Sequence, residues 1–117
     1  MMVYKILLDD MRSDGMIPNG TNLPMMDLII RTPAMFDSLI PILMTIEFVL
    51  FLDHDFGLDD KCHYAKDGYK MLMEMFDLKI FPHMIKLVTA NPVGRKNIEA
   101  ALRQTGYNCN GIGEWTR

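Results

Sequence analysis

The chain is poor in cysteine. Cys62 and Cys109 are its only two, far apart and in no CxxC or zinc-type spacing. They read as free thiols of a reducing cytoplasm. It also lacks an excess of positive charge. Twelve Lys and Arg against fifteen Asp and Glu give a net charge of -3, so nothing electrostatic favours duplex DNA or another nucleic-acid backbone as partner. No apolar run approaches the roughly 20 residues that span a bilayer. No secretory signal is visible, because the first residues pass straight into a strand-like run holding Lys5 and followed by Asp9 and Asp10. Internal repeats and low-complexity tracts are missing too. These absences leave a cytoplasmic globular protein with no membrane role.

What is there fits one domain over residues 1–117, long enough for a real core. Hydrophobic residues make up 50% and charged residues 23%, the balance of an ordinary globular chain. Twelve methionines stand out. Met71, Met73 and Met75 share one predicted helix, where soft, flexible core filler is the ordinary use.

Strands and helices alternate. Val3–Leu8 is a short apolar run closed by Asp9-Asp10, read as a buried strand. Met11–Pro24 is rich in Gly, Pro, Asn and Asp and reads as a loop. Leu28–Arg31 is a second strand. Thr32-Pro33 then supplies a cap and a first-turn proline. Phe36, Leu39, Ile40 and Leu43 follow at helical spacing, with Pro41 expected to kink or shorten the helix. Glu47–Leu52, apolar on both faces, is a central strand. Phe56–Lys66 reads as an exposed loop, Gly68–Asp77 as a helix and Ile85–Ala90 as the fourth strand. Asn91-Pro92 opens a last helix that Gly106 ends. Tyr107–Ile112 is a candidate fifth strand. This order predicts an α/β domain with a parallel sheet of four or five strands.

Ligands of such sheets bind beyond the carboxyl ends of the strands. Asp9, Asp10, Asp53, His54, Asp55, Thr89 and Asn91 all fall at such ends. Clustered carboxylates repel one another unless a positive charge sits among them. Aspartate oxygens suit a hard ion such as magnesium, which also takes phosphate oxygens. The helix start Asn91-Pro92-Val93-Gly94-Arg95-Lys96 offers a phosphate site beside it: Asn91 as cap, Gly94 for close backbone approach, Arg95 or Lys96 for an oxyanion. Each piece also has a plainer meaning. Asp9-Asp10 closes a strand, Asp55 and Gly57 make a turn, His54 sits in a loop, and Arg95 and Lys96 lie on a solvated helix face. Only their shared placement argues for a site. His63 and His83 fall outside that pattern.

Three motif readings fail. DHDFGLDD is not a calcium loop, since the sixth and twelfth positions from Asp53 hold Leu58 and Tyr64 instead of glycine and glutamate. A haloacid-dehalogenase-type phosphatase carries its Asp-x-Asp on the first strand, with more chain behind it. HD-type phosphohydrolase motifs sit on helices.

The chain resembles the receiver fold of response regulators: an acidic pair after the first strand (Asp9-Asp10), an aspartate ending the third (Asp53) and Thr89-Ala90 ending the fourth. More closely, it is similar to the cyclic-phosphate-processing receiver domains of bacteria and phages. LDDMR at Leu8–Arg12, DHDFG at Asp53–Gly57, NPVGRKN at Asn91–Asn97 and the arginine-threonine step in IIRTPAMFDSL carry that likeness. It implies a flavodoxin-like three-layer sandwich whose first helix is replaced by the loop Met11–Pro24. It departs from signalling receivers in having no lysine within Tyr107–Glu114 and in the added His54.

Three functions follow as expectations. The first is a magnesium-dependent phosphoesterase acting on a cyclic phosphate of a nucleotide or RNA end. Asp9, Asp10, Asp53 and Asp55 would hold the ion, His54 would protonate the leaving oxygen, and Thr89, Asn91, Gly94 and Arg95 would hold phosphate. Asp53 could instead be a nucleophile. The second is a non-catalytic binder of the same ligands. The third is a degenerate receiver phosphorylated on Asp53, which the missing lysine disfavours.

Overall fold

A computed structural model describes residues 2–8, 25–53, 68–88 and 92–117. Nine elements follow one another: β1 (Val3–Leu8), β2 (Leu28–Ile30), α1 (Pro33–Leu43), β3 (Glu47–Leu52), α2 (Gly68–Asp77), β4 (Met84–Leu87), α3 (Pro92–Gln104), β5 (Asn108–Cys109) and β6 (Glu114–Thr116). The strands form one sheet in the order β2-β1-β3-β4-β6-β5. β2, β1, β3 and β4 are parallel, as the alternation of strands and helices predicts. The class is α/β and receiver-like.

Local chemistry sets the element ends. Thr32 is extended (φ -136°) and its hydroxyl accepts the Met35 N–H at 3.1 Å, capping α1 ahead of Pro33. Pro41 lies inside α1, and the helix ends two residues later at Leu43. At the other end of α3, Gly106 takes φ 95°. Its N–H donates to the Arg103 carbonyl and that of Tyr107 to Leu102, which closes the last turn in the pattern a left-handed glycine allows. α2 ends the same way on Lys79 at φ 61°.

The sheet departs from expectation beyond α3. Tyr107–Ile112 does hold a fifth strand, β5 (Asn108–Cys109), but it does not pair with β4. The chain makes a hairpin there, and its second arm, β6, pairs antiparallel with β4. β5 keeps the direction of β4 but lies one place further out. The turn is tied by Asn110, whose Oδ1 accepts the N–H of Ile112 at 3.0 Å and of Glu114 at 3.3 Å. Gly111 (φ 90°) and Gly113 (φ 82°) supply the left-handed backbone that such a tight turn needs.

Side chains alternate along a strand. Ile6, Leu8, Phe48, Leu50, Leu52, Ile85, Leu87 and Trp115 join Phe36 and Leu43 of α1, Met71, Leu72, Met75 and Phe76 of α2, and Ile98 and Leu102 of α3 in one buried cluster. All three helices therefore pack on one face. The described residues furnish the sheet and one helical layer of the sandwich. Met71 and Met75 are buried and Met73 packs against the cluster, so these three methionines of α2 fill the core. The intervening strand residues face the other way: Lys5 and Leu7, Glu47, Val49 and Phe51, Met84 and Lys86, and Glu114.

At the amino ends of the strands, the Tyr107 hydroxyl donates to the Pro82 carbonyl at 2.7 Å. Phe76 stacks on both Phe81 and Tyr107, and the Arg117 guanidinium lies 4.0 Å over the Phe81 ring. These contacts pack the chain around the start of β4.

Candidate functional site

Asp53 follows β3 directly and continues its ladder, with its N–H donating to the Leu8 carbonyl at 3.0 Å. Its side chain is 8% exposed, and it is the single buried charged residue among those described. Burying a carboxylate is unfavourable unless charge or hydrogen bonds compensate it. The strands β1 and β3 thus run side by side to the carboxyl edge, where β3 is followed by a buried acid.

The same edge gathers other elements. β2 ends at Ile30, and Arg31 and Thr32 follow it, with Thr32 committed to capping α1. α3 starts just after β4, so its first turn, with Gly94 buried, belongs to this edge. Arg95 sits in that turn with its Nε 3.8 Å from Oε2 of Glu99, one turn on, so in this structure it makes the solvated helix pair of the plainer reading. The β5–β6 turn reaches the edge from the far side. Glu114 is level with Lys86, and residues 111–113 continue past it toward the level of Leu87 and Val88. Ile112, at the tip, is 74% exposed.

Asp9, Asp10, His54, Asp55, Thr89 and Asn91 lie outside the described residues, as do the loop Met11–Pro24, Cys62 and His63. Of the expected site residues, the structure places Asp53, Gly94 and Arg95. His83 is an exposed strand-end residue whose backbone N–H donates to Phe48. Cys109 is free and exposed. Among the described residues no helix is long and apolar enough to cross a membrane, and no group of three or more His, Cys, Asp or Glu side chains stands together.

A family model for the cyclic-phosphate processing receiver domain matches residues 4–104. The chain belongs to this family. No curated protein and no solved structure matches the chain. The span matched to the cyclic-phosphate processing receiver domain runs from β1 to the end of α3. It therefore includes Asp53 and the start of α3, and it stops short of the β5–β6 hairpin.

Two features of this edge were missed in the sequence. One is the hairpin, although Asn110-Gly111 is a standard turn signal. The other is Lys86, which the register pairs with Phe51, on the face where strand alternation also sets Asp53. A lysine in a four-residue strand gives no sequence signal of its own, because its neighbours come from other strands.

Proposed function

We propose that the carboxyl edge of the sheet is a magnesium-assisted site that hydrolyses a cyclic phosphate on a nucleotide or an RNA end. The observation that carries this reading is Asp53: a buried carboxylate at the end of β3, in a chain of the cyclic-phosphate processing receiver family. A buried carboxylate among acidic neighbours in sequence suits a divalent cation, and the donors are all hard oxygens. Asp53 with Asp9, Asp10 and Asp55 would hold the ion. When bound, it would polarise the phosphate and supply an activated water.

The chain's own residues supply the rest. The first turn of α3, with Gly94 buried and Arg95 beside it, holds phosphate oxygens together with Thr89 and Asn91. Arg95 leaves an exposed and weak pair with Glu99 to do so. His54 gives a proton to the leaving ester oxygen as the bond from phosphorus to it breaks. A signalling receiver is a poorer reading. The place beside β4 is taken by an antiparallel arm, and residues 105–117 contain no lysine.

A magnesium-dependent assay on 2′,3′-cyclic mononucleotides, 3′,5′-cyclic nucleotides and cyclic dinucleotides tests this. Wild type should turn over one class, and Asp53→Ala and His54→Ala should each abolish it. Tight binding without turnover would make the protein a binder instead. An acid-labile phosphate trapped on Asp53 during turnover would make Asp53 the nucleophile; its absence would leave it a ligand.

A further inference from the structure

We propose that Lys86 is a phosphate-binding residue of this site, moving from Glu114 to the anion held beside Asp53. The inference rests on the phosphate site proposed above. Lys86 pairs in register with Phe51, and Asp53 lies two residues beyond Phe51 on the same side of the sheet. One strand across and two residues along sets the two α-carbons about 8 Å apart. A lysine carries its charge on a flexible four-carbon stem, which spans most of that gap. Lys5, the other described lysine on this face, pairs with Val49 and so lies one step further from the edge.

Lys86 is loosely held where it is. Its Nζ is 3.9 Å from Glu114 Oε2, and its side chain is 39% exposed. That is too long for a hydrogen bond and too exposed for a strong pair. Glu114 is the fixed partner, because its Oε1 accepts from Asn110 Nδ2 at 2.8 Å within the hairpin turn. The hairpin thus parks a movable ammonium next to the edge.

The chemistry has a use for it. Water adds through its oxygen to phosphorus, one ring P–O bond breaks, and a proton ends on the leaving oxygen. The cyclic diester carries one negative charge. The monoester formed loses a further proton to solvent above about pH 6. An ammonium arriving beside the phosphate favours the state of higher charge.

The probe is inorganic phosphate, titrated with magnesium present into the isotope-labelled full chain and followed by amide shifts. Lys86→Met should weaken phosphate binding about tenfold or more. Lys86→Arg, which keeps the charge, should retain most of it. Glu114→Gln should bind as tightly as wild type or more so, since the competing carboxylate is gone while the amide still accepts from Asn110. Equal losses in Lys86→Met and Glu114→Gln would mean that the pair only ties β6 to β4, and would overturn the proposal. So would a Lys86→Met protein that binds phosphate like wild type, although the site at Asp53 would then stand. Wild type that neither binds phosphate nor hydrolyses any cyclic phosphate would remove the site, and Lys86 with it.

Discussion

Under the helices the strands present Ile6 and Leu8, Phe48, Leu50 and Leu52, Ile85 and Leu87, and Trp115. The same strands turn Lys5, Glu47, Lys86 and Glu114 to the opposite side, between Leu7, Val49, Phe51 and Met84. On the first face every residue gains by leaving water. On the second, charged groups alternate with apolar ones, and the face ends on the buried acid Asp53. The comparison separates two tasks. One face carries the core packed under the helices, and the other sets charged groups beside the buried Leu7 and Phe51. Substitutions should sort accordingly: the helix face should change stability with little effect on ligand, and the charged face the reverse.

Leu50→Ala should show the largest effect. Leu50 is 1% exposed in the central strand β3, packed in the helix-side cluster. Removing it should destabilise the fold by about 2–5 kcal/mol, read as a fall in the urea midpoint. Phosphate affinity of the folded protein should stay near wild type. A loss well under 1 kcal/mol would mean that this face does not carry the stability.

The second effect is alkaline. Tyr107 is buried, and burial pushes its hydroxyl up to about 12 from 10.0, against a smaller lowering by Arg117. The unfolded chain ionises this group first. Its contribution is complete below pH 10 and is lost as pH rises through about 12. Two units correspond to roughly 2–3 kcal/mol. Ionisation also removes the proton donated to Pro82. Chemical denaturation at pH 8 and pH 11.5 should show this fall, and Tyr107→Phe should flatten it. An equally steep fall in Tyr107→Phe would assign the alkaline loss to other groups.

Much of this division was legible in the sequence, because it follows from periodicity. β1, β3, α2 and α3 were placed by apolar spacing, and α1 by Thr32-Pro33. The carboxyl edge followed from the alternation of strands and helices, and Asp53 from its position after an apolar run. β6 was not legible as a strand, since Glu114, Trp115 and Thr116 are too few to show a period. Its place between β4 and β5 is a matter of pairing, and pairing leaves no local trace. Lys86 fails for the same reason: it matters through Phe51 and Glu114, which lie on other strands. For Asp9, Asp10, His54, Asp55, Thr89 and Asn91 the fold supplies the edge, and the assignments remain those of the sequence.

Asp53→Ala should have a smaller effect on stability. Without metal, the variant should stay folded, within about 1–2 kcal/mol of wild type. Magnesium should then no longer raise the melting temperature. Unfolding of Asp53→Ala would make Asp53 part of the structure and erase the contrast between the faces.

The smallest effect is the sharpest test. Lys86 and Glu114 stand 3.9 Å apart on the charged face, with side chains 39% and 24% exposed. A double-mutant cycle with Lys86→Met and Glu114→Gln should give a coupling of about 0.2–1 kcal/mol in stability. Raising the salt should shrink it further, since exposed charges are screened. A coupling this weak lets a bound phosphate draw the ammonium away, because a charge-assisted hydrogen bond to an anion is worth about 1.5–3 kcal/mol. A coupling well above that range, insensitive to salt, would make the pair a clamp on β6. The charged face would then carry stability as well, and Lys86 would be held too firmly to leave.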